Sequence, residues 1–362
     1  MSIKTDVGSG TPARGRQPGS RWVVVLAGGV GSRFWPVSTP ERPKQLLPLV
    51  TSDPMLRDTI NRVAALAPAE RTLILTNASL VAAVRKIVPE VPAENVIAEP
   101  RPAGTAAALA WAAHEIERRA GPEAVMISVH ADAAIGDVEK FRATLSLAAD
   151  SAEREHGLVT VGIVPRFADV GLGYIEPGAV VNGSLRRVAR FVEKPDAARA
   201  TAMVTAGCLW NSGIFAWRVG DLLAELRARC PEVAEPLTSN PSDLAAFFGS
   251  IAKPIAIDVG VLERSDRVMV VPGDFDWSDV GTWAALRAVR TADAQGNVPS
   301  GATYLREANR NVVHAEGPAV VLYGVDDLVV VTTNGITLVT TVERSADLKT
   351  LLDALPPEVR KQ

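Results

Sequence analysis

Cysteine is nearly missing from this chain: Cys208 and Cys230 are the only two in 362 residues. They stand far apart with no Cys or His cluster around them. That excludes a disulfide framework and a zinc site, and leaves buried free thiols as the expectation. Aromatic residues are scarce at 5%, and the net charge is only −3. Without an excess of Lys and Arg there is no electrostatic footprint for nucleic acid or an anionic membrane, so any phosphate affinity has to be local. No apolar run approaches the length of a membrane span. Residues 1–20 are rich in Gly, Pro, Ser and Thr and contain no apolar h-region, which predicts a disordered tail rather than a secretory leader, and a cytoplasmic protein. What is plentiful is alanine and valine within 47% apolar residues. The length suits one large α/β domain plus a smaller one.

The most informative stretch is Val23-Val24-Val25-Leu26-Ala27-Gly28-Gly29-Val30-Gly31-Ser32-Arg33. An unbroken apolar run followed at once by glycines reads as a buried parallel strand delivering its C-terminal end to a ligand. Gly28, Gly29 and Gly31 let the backbone turn sharply and bring N–H groups against an anion. Arg33 and Lys44 add mobile positive charge, so the segment predicts a phosphate site. No Gly-Lys-Ser/Thr closes the loop, which excludes a P-loop. Arg33 and Phe34 stand where a dinucleotide fingerprint needs its third glycine.

From residue 22 to about 170, apolar strands alternate with amphipathic helices. Strands are expected at 22–27, 72–76, 95–98, 124–129 and 158–164, with helices at 55–66, 79–87, 105–120 and 138–151. This alternation implies a Rossmann-like, mostly parallel sheet flanked by helices, with ligands at the carboxyl ends of its strands. Beyond it, short strands are expected at 171–176, 186–193 and 214–217, a helix at 219–229, and further helices at 244–248 and 282–290. The turn-rich stretch 295–301 marks a boundary. After it, short β-branched runs (311–314, 319–323, 328–332, 336–340) and a helix at 345–355 predict a small C-terminal β-rich domain. The expected organisation is a tail over 1–20, a catalytic domain over 21–294 and an appended domain over 295–362.

The segment from Leu26 to Leu47, with Leu-Ala-Gly-Gly-x-Gly-x-Arg and then Pro43-Lys44, resembles the signature of sugar-1-phosphate nucleotidyltransferases. Phe34-Trp35-Pro36 and Pro43-Lys44-Gln45 resemble the bacterial mannose-1-phosphate guanylyltransferase branch of that family. Four later blocks follow in the family's order. Val129-His130-Ala131-Asp132 resembles its strand–Asp metal motif, with Ala133 where the family has His. Gly173-Tyr174 is followed by Glu193-Lys194-Pro195, then by Trp210-Asn211-Ser212-Gly213. Trp277-Ser278-Asp279-Val280-Gly281-Thr282-Trp283 closes the series. Glu99–Ala106 occupies a nucleotide-binding segment, but Pro102-Ala103-Gly104 replaces the family's Arg-Asn stretch. The family also places a short β-helix-like domain at the C-terminus, where Asn334-Gly335 replaces its usual acidic residue.

The resemblance implies GTP and mannose 1-phosphate as substrates, GDP-mannose and diphosphate as products, and Mg²⁺ as cofactor on Asp132 and Asp279. It implies nucleotide binding by Leu26, Ala27, Gly28, Gly29, Gly31, Ser32, Arg33, Gly104 and Thr105. Sugar-phosphate binding would fall to Gly173, Tyr174, Glu193, Lys194 and Asn211, with Arg33, Lys44 and Lys194 as the catalytic cations. Asp258 matches an acidic position that suits either the site or a structural hydrogen bond. Two other readings share these residues: thymidylyl or uridylyl transfer to glucose 1-phosphate, and a non-catalytic paralogue that binds sugar nucleotide. Trp35 and Gln45 favour the mannose branch; the presence of Arg33, Lys44, Asp132 and Asp279 favours a catalyst. A homodimer is compatible with a small valine-rich appendage in need of a partner surface.

Overall fold

The computed structural model describes residues 20–29, 31–333 and 335–360. The tail expected over 1–20 lies outside the described residues except for Ser20, as do Asn334 and the side chain of Ser32. The first apolar run forms β1 (Arg21–Ala27), buried from Trp22 onward. It is followed by β2 (Thr72–Asn77), β3 (Val96–Glu99), β4 (Val125–His130), the short β5 (Ala134–Ile135), β6 (Leu158–Ile163), β7 (Tyr174–Asn182), β8 (Leu185–Val192), β9 (Leu209–Arg218) and β10 (Val268–Gly273). All but β5 form one sheet in the order β3-β2-β1-β4-β9-β6-β10-β8-β7. β1 is parallel to β2 and β4, β2 to β3, and β6 to β10. Only β9 and β8 run against the rest.

Side chains alternate across a strand, and β1 shows it. Val23, Val25 and Ala27 enter one core, with Leu56 and Ile60 of α1 (Met55–Val63), Val84 of α2 (Val81–Ile87) and residues of a long helix that follows β5. Trp22, Val24 and Leu26 enter the other, against the alanine-rich α3 (Thr105–Ala120). The long helix is α4 (Val138–Glu155), which contributes Phe141 and Leu145; its N-cap Asp137 accepts a hydrogen bond from Lys140 N at 2.9 Å. The glycine loop thus leaves the sheet at a strand end packed on both faces.

β10 and the helix α5 (Ala197–Thr205) are additional to the expected elements. Pro272-Gly273 reads locally as a turn, yet both residues sit in the parallel ladder opposite Gly162 and Ile163. The helix at 219–229 is found as α6 (Val219–Arg229), whereas the one expected at 282–290 contracts to Leu286–Val289. Past β11 (Trp277–Ser278) come β12 (Val298–Ser300), β13 (Thr303–Arg306), β14 (Val312–Ala315), β15 (Val320–Tyr323), β16 (Leu328–Thr332) and β17 (Thr337–Thr341). β12, β14 and β16 form one parallel ladder and β13 with β15 another, so successive strands alternate between two sheets as in a short β-helix. β17 turns back antiparallel on β16. Buried Asn297 and Asn311 stack between coils, Asn311 Nδ2 donating to Asn297 Oδ1 at 3.0 Å. A third core joins Phe34, Trp35 and Trp283 to Val312, Val329 and Val331. Among the described residues no helix is long and apolar enough to cross a membrane.

Trp217 on β9 is fully buried and stacks on Phe215 at 4.7 Å between ring centres. Trp217→Ala should cost about 3–5 kcal/mol of stability, read from the midpoint and slope of urea unfolding.

Candidate active site

The site begins where β1 ends. The carbonyl of Ala27 accepts hydrogen bonds from Gln45 Nε2 at 2.7 Å and Thr76 Oγ1 at 3.0 Å, which fixes the start of the glycine loop. Gly28 and Gly29 are exposed, and Gly31 has a φ of +66°. A Cβ on Gly31 would stand 2.3 Å from Lys44 Cβ. The loop therefore packs directly on the residue that carries the next charge, and only glycine permits both the φ and the approach.

Lys44 is buried, with its side chain 6% exposed. Its ammonium donates to Asp132 Oδ2 at 3.0 Å and to the Asp279 carbonyl at 2.6 Å, and lies 5.9 Å from the centre of the Phe34 ring. Asp132 follows β4 and Asp279 follows β11. β11 pairs antiparallel with β5, setting Trp277 opposite Ile135 and Ser278 opposite Ala134. This small ladder brings together two turns that are remote in sequence. Val280, a β-branched residue at φ 47°, marks the sharp bend after Asp279, and Ser278 Oγ accepts from its N–H at 3.1 Å. Such strain concentrates at functional turns.

The two carboxyls differ. Burial, the largest single influence, pushes Asp132 up, but the adjacent Lys44 ammonium, His130 and a backbone hydrogen bond together hold the group below the ordinary carboxylate range. Burial also pushes Asp279 up, and here it prevails over Lys44 and Arg33, aided by the negative charges of Asp169 and Asp132. The Asp279 carboxylate has no hydrogen-bond partner among the described residues. Two oxygen-donor side chains with spare lone pairs, in a patch where acids repel one another, fit a hard divalent cation that keeps much of its water. Among the described residues no group of three or more His, Cys, Asp or Glu is arranged as a fuller metal cage.

Two adjoining cavities meet here. One, of about 510 Å³, is lined by Gly31, Arg33, Lys44, Asp132, Gly173, Glu193, Lys194, Asn211, Asp258 and Asp279. The other, of about 280 Å³, is lined by Leu26, Ala27, Gly28, Gly29, Gln45, Glu99, Gly104 and Thr105. His130 and Asp132 line both. Gly104, at φ +85°, lies so close to Ile255 that a Cβ would meet its carbonyl oxygen at 2.2 Å, while Thr105 Oγ1 accepts from Ile257 N at 2.9 Å. At the other end, Lys194 Nζ lies 2.6 Å from Glu193 Oε1, both side chains more than half exposed. Asn211 Nδ2 donates to Asp258 Oδ1 at 2.7 Å, so Asp258 orients the amide. Burial raises the Asp258 carboxyl despite that bond.

The expected residues thus converge, with two qualifications. Ser32 has its side chain outside the described residues. Tyr174 is not brought to either cavity: it is fully buried, and its hydroxyl donates to the Asp169 carbonyl and accepts from the Asp169 N–H, each at 3.0 Å. It supports the loop before β7 rather than meeting a ligand. Glu99 and His130 also line the site but are not among the binding residues expected from the sequence. Glu99 ends β3 as Asp132 follows β4, a strand-end acid whose burial pushes its carboxyl up to about 7. That position was the available signal.

The nucleotidyl transferase family matches residues 22–296. The chain belongs to that family. It is 36% identical over 354 residues to the mannose-1-phosphate guanylyltransferases of Escherichia coli and of Klebsiella pneumoniae, covering 94% of this chain and 74% of each relative. The crystal structure of mannose-1-phosphate geranyltransferase from Thermus thermophilus superposes with a TM-score of 0.85 at 31% identity, over 92% of this chain and 98% of that one. The chain is thus an enzyme of the nucleotidyltransferase class. Gly31→Ala, which displaces Lys44, should lower turnover by about tenfold or more. Pyrophosphate release measures the loss, and an unchanged circular dichroism spectrum shows that the fold is kept.

Proposed function

We propose that this chain is a mannose-1-phosphate guanylyltransferase, joining GTP and α-D-mannose 1-phosphate into GDP-mannose and diphosphate. The observation that carries the reading is the Lys44 ammonium, which lines the larger cavity and is held between the Asp279 carbonyl and Asp132, a residue that lines both cavities. Two anionic reactants repel one another unless fixed cations stand where they meet. In this reading GTP lies over the glycine loop, with its base in the smaller cavity against Gly104 and Thr105. Mannose 1-phosphate lies in the larger cavity, its hydroxyls on Glu193, Asn211 and the Gly173 backbone, its phosphate against Lys194. Its phosphate oxygen attacks the α-phosphorus in line. Arg33 draws charge toward the leaving pyrophosphate while Lys44 holds the reacting groups. Mg²⁺ on Asp132 and Asp279 would neutralise charge on the α-phosphate. A sugar phosphate is already anionic at neutral pH, so no general base is needed.

Glu99 supports the choice of base. An ionised carboxylate only accepts hydrogen bonds. Guanine alone among the common bases offers two adjacent donors, N1–H and the 2-amino group, on its pairing edge. Adenine, cytosine and uracil each set an acceptor beside the donor. We further propose that residues 21–294 form the catalytic unit and 295–362 the appended one. Cytoplasmic operation and a homodimer belong to the same reading, the exposed Tyr304, Val321 and Tyr323 offering an apolar face to a second copy.

Screening the four nucleoside triphosphates against mannose and glucose 1-phosphates, with and without Mg²⁺, should give turnover only with GTP, mannose 1-phosphate and metal. Turnover with glucose 1-phosphate and UTP or dTTP alone would reject it. Asp279→Ala should abolish turnover in a folded protein. The pH dependence follows from the raised Glu99 carboxyl: protonated below about pH 7, it becomes a pure acceptor only above. Its ionised fraction grows about tenfold between roughly pH 6 and 8. The KM for GTP should fall accordingly across that range, and Glu99→Gln should flatten the profile.

A further inference from the structure

Lys44 is tied to the strand-rich C-terminal part through a circuit of side chains. Two residues before it, Arg42 leaves a turn closed by Thr39, whose carbonyl and Oγ1 both accept from Arg42 N at 3.1 Å. The Arg42 guanidinium reaches Glu316, just past β14, in a two-pronged contact: Nη1 to Oε2 at 2.6 Å and Nη2 to Oε1 at 3.0 Å. Planar, paired contacts of this kind fix direction as well as distance. Glu316 Oε1 also contacts Nε2 of the buried His314 at 3.1 Å. Hydrogen bonding by His314, with Arg42 adding to it, holds the Glu316 carboxyl down at about 2. It therefore stays ionised across any working pH.

The circuit closes on the other side. The His314 ring lies 5.3 Å from Trp283, four residues after Asp279. Trp283 Nε1 donates to the Trp35 carbonyl at 3.2 Å, and its ring meets Phe34 edge-on at 5.0 Å. Phe34 in turn lies beside the Lys44 ammonium. Glu316 thus reaches Lys44 by two routes, through Arg42 along the loop and through His314, Trp283 and Phe34 across the core.

We propose that Glu316 is a positioning residue for nucleotidyl transfer, holding the Arg42–Lys44 loop and the turn after Asp279 in register through Arg42 and His314. The C-terminal strands on this view take part in the reaction although they touch neither substrate. The proposal rests on the reading of Lys44 as the cation that holds the reacting phosphates.

The test is steady-state kinetics on the full-length protein with GTP, mannose 1-phosphate and Mg²⁺, comparing Glu316→Gln, Arg42→Gln and the double variant. An ångström-scale misplacement of Lys44 would lower kcat about tenfold to a hundredfold in either single variant. Both KM values should stay within about twofold, and the double variant should lose no more than the worse single, because both act through one contact. Asp327→Asn is the control. It breaks a pair of like exposure with Arg310, 2.6 Å at its shortest, outside the circuit, and should leave kcat unchanged. A Glu316→Gln enzyme with the parent's kcat, losses that add in the double variant, or an equal loss in Asp327→Asn would each overturn the proposal. Lys44→Ala separates the two levels. If it keeps turnover, the reading of Lys44 fails; if it is inactive while Glu316→Gln is unimpaired, only the positioning role fails.

Discussion

A single buried ammonium organises this molecule. Lys44 is taken out of water and is tolerable there only because a carboxylate and a carbonyl receive its protons. Those partners belong to two turns whose acids crowd one another, since the negative charges of Asp132 and Asp169 help to raise the Asp279 carboxyl. The cation lets the acids stay together, and the acids let the cation stay buried. The glycine loop packs on the same side chain at a distance no other residue allows. Three segments that carry charge are thereby locked to one point, and what binds there meets donors and acceptors already in place.

The two cavities are built from different materials. Around the smaller one the walls are largely backbone and small side chains, with Glu99 the ionisable group that it does not share with the larger. Around the larger one charged and amide side chains face inward. A planar base asks for shape and a few fixed hydrogen bonds. A sugar phosphate asks for several polar groups and a counter-charge. The division of labour follows from the sheet: the smaller cavity lies at the ends of β1, β3 and β4 in the run β3-β2-β1-β4, while the larger takes Glu193 and Lys194 from just past β8 and Asn211 from β9.

The sequence was most legible where one residue type answers one local demand. The glycines after β1, the acids after β4 and β11, and Lys44 all stood in short ordered blocks, and the structure gathers them. Elements with a strong period, such as α3 and α6, were found near their true ends. β10 escaped because Pro272-Gly273 carries a turn signal that tertiary pairing with β6 overrides. Tyr174 misled because a tyrosine next to a glycine strand looks like a ligand-binding residue, whereas its hydroxyl is occupied by its own chain at Asp169. The Arg42–Glu316 contact spans 274 positions, and nothing local in either residue announces the other. Surface-type charges in sequence become structural only when the fold supplies their partner.

One feature of the topology reaches further. β9 is inserted between β4 and β6, hydrogen-bonded to each, so the strands bearing the base pocket and those bearing the sugar pocket are one uninterrupted fabric. A clamshell that bends between halves would have to tear that fabric. The span from Pro165 to Gly173, which Tyr174 props through Asp169, lies outside that ladder, so the larger cavity has one wall, at Gly171, Leu172 and Gly173, that strand pairing does not hold.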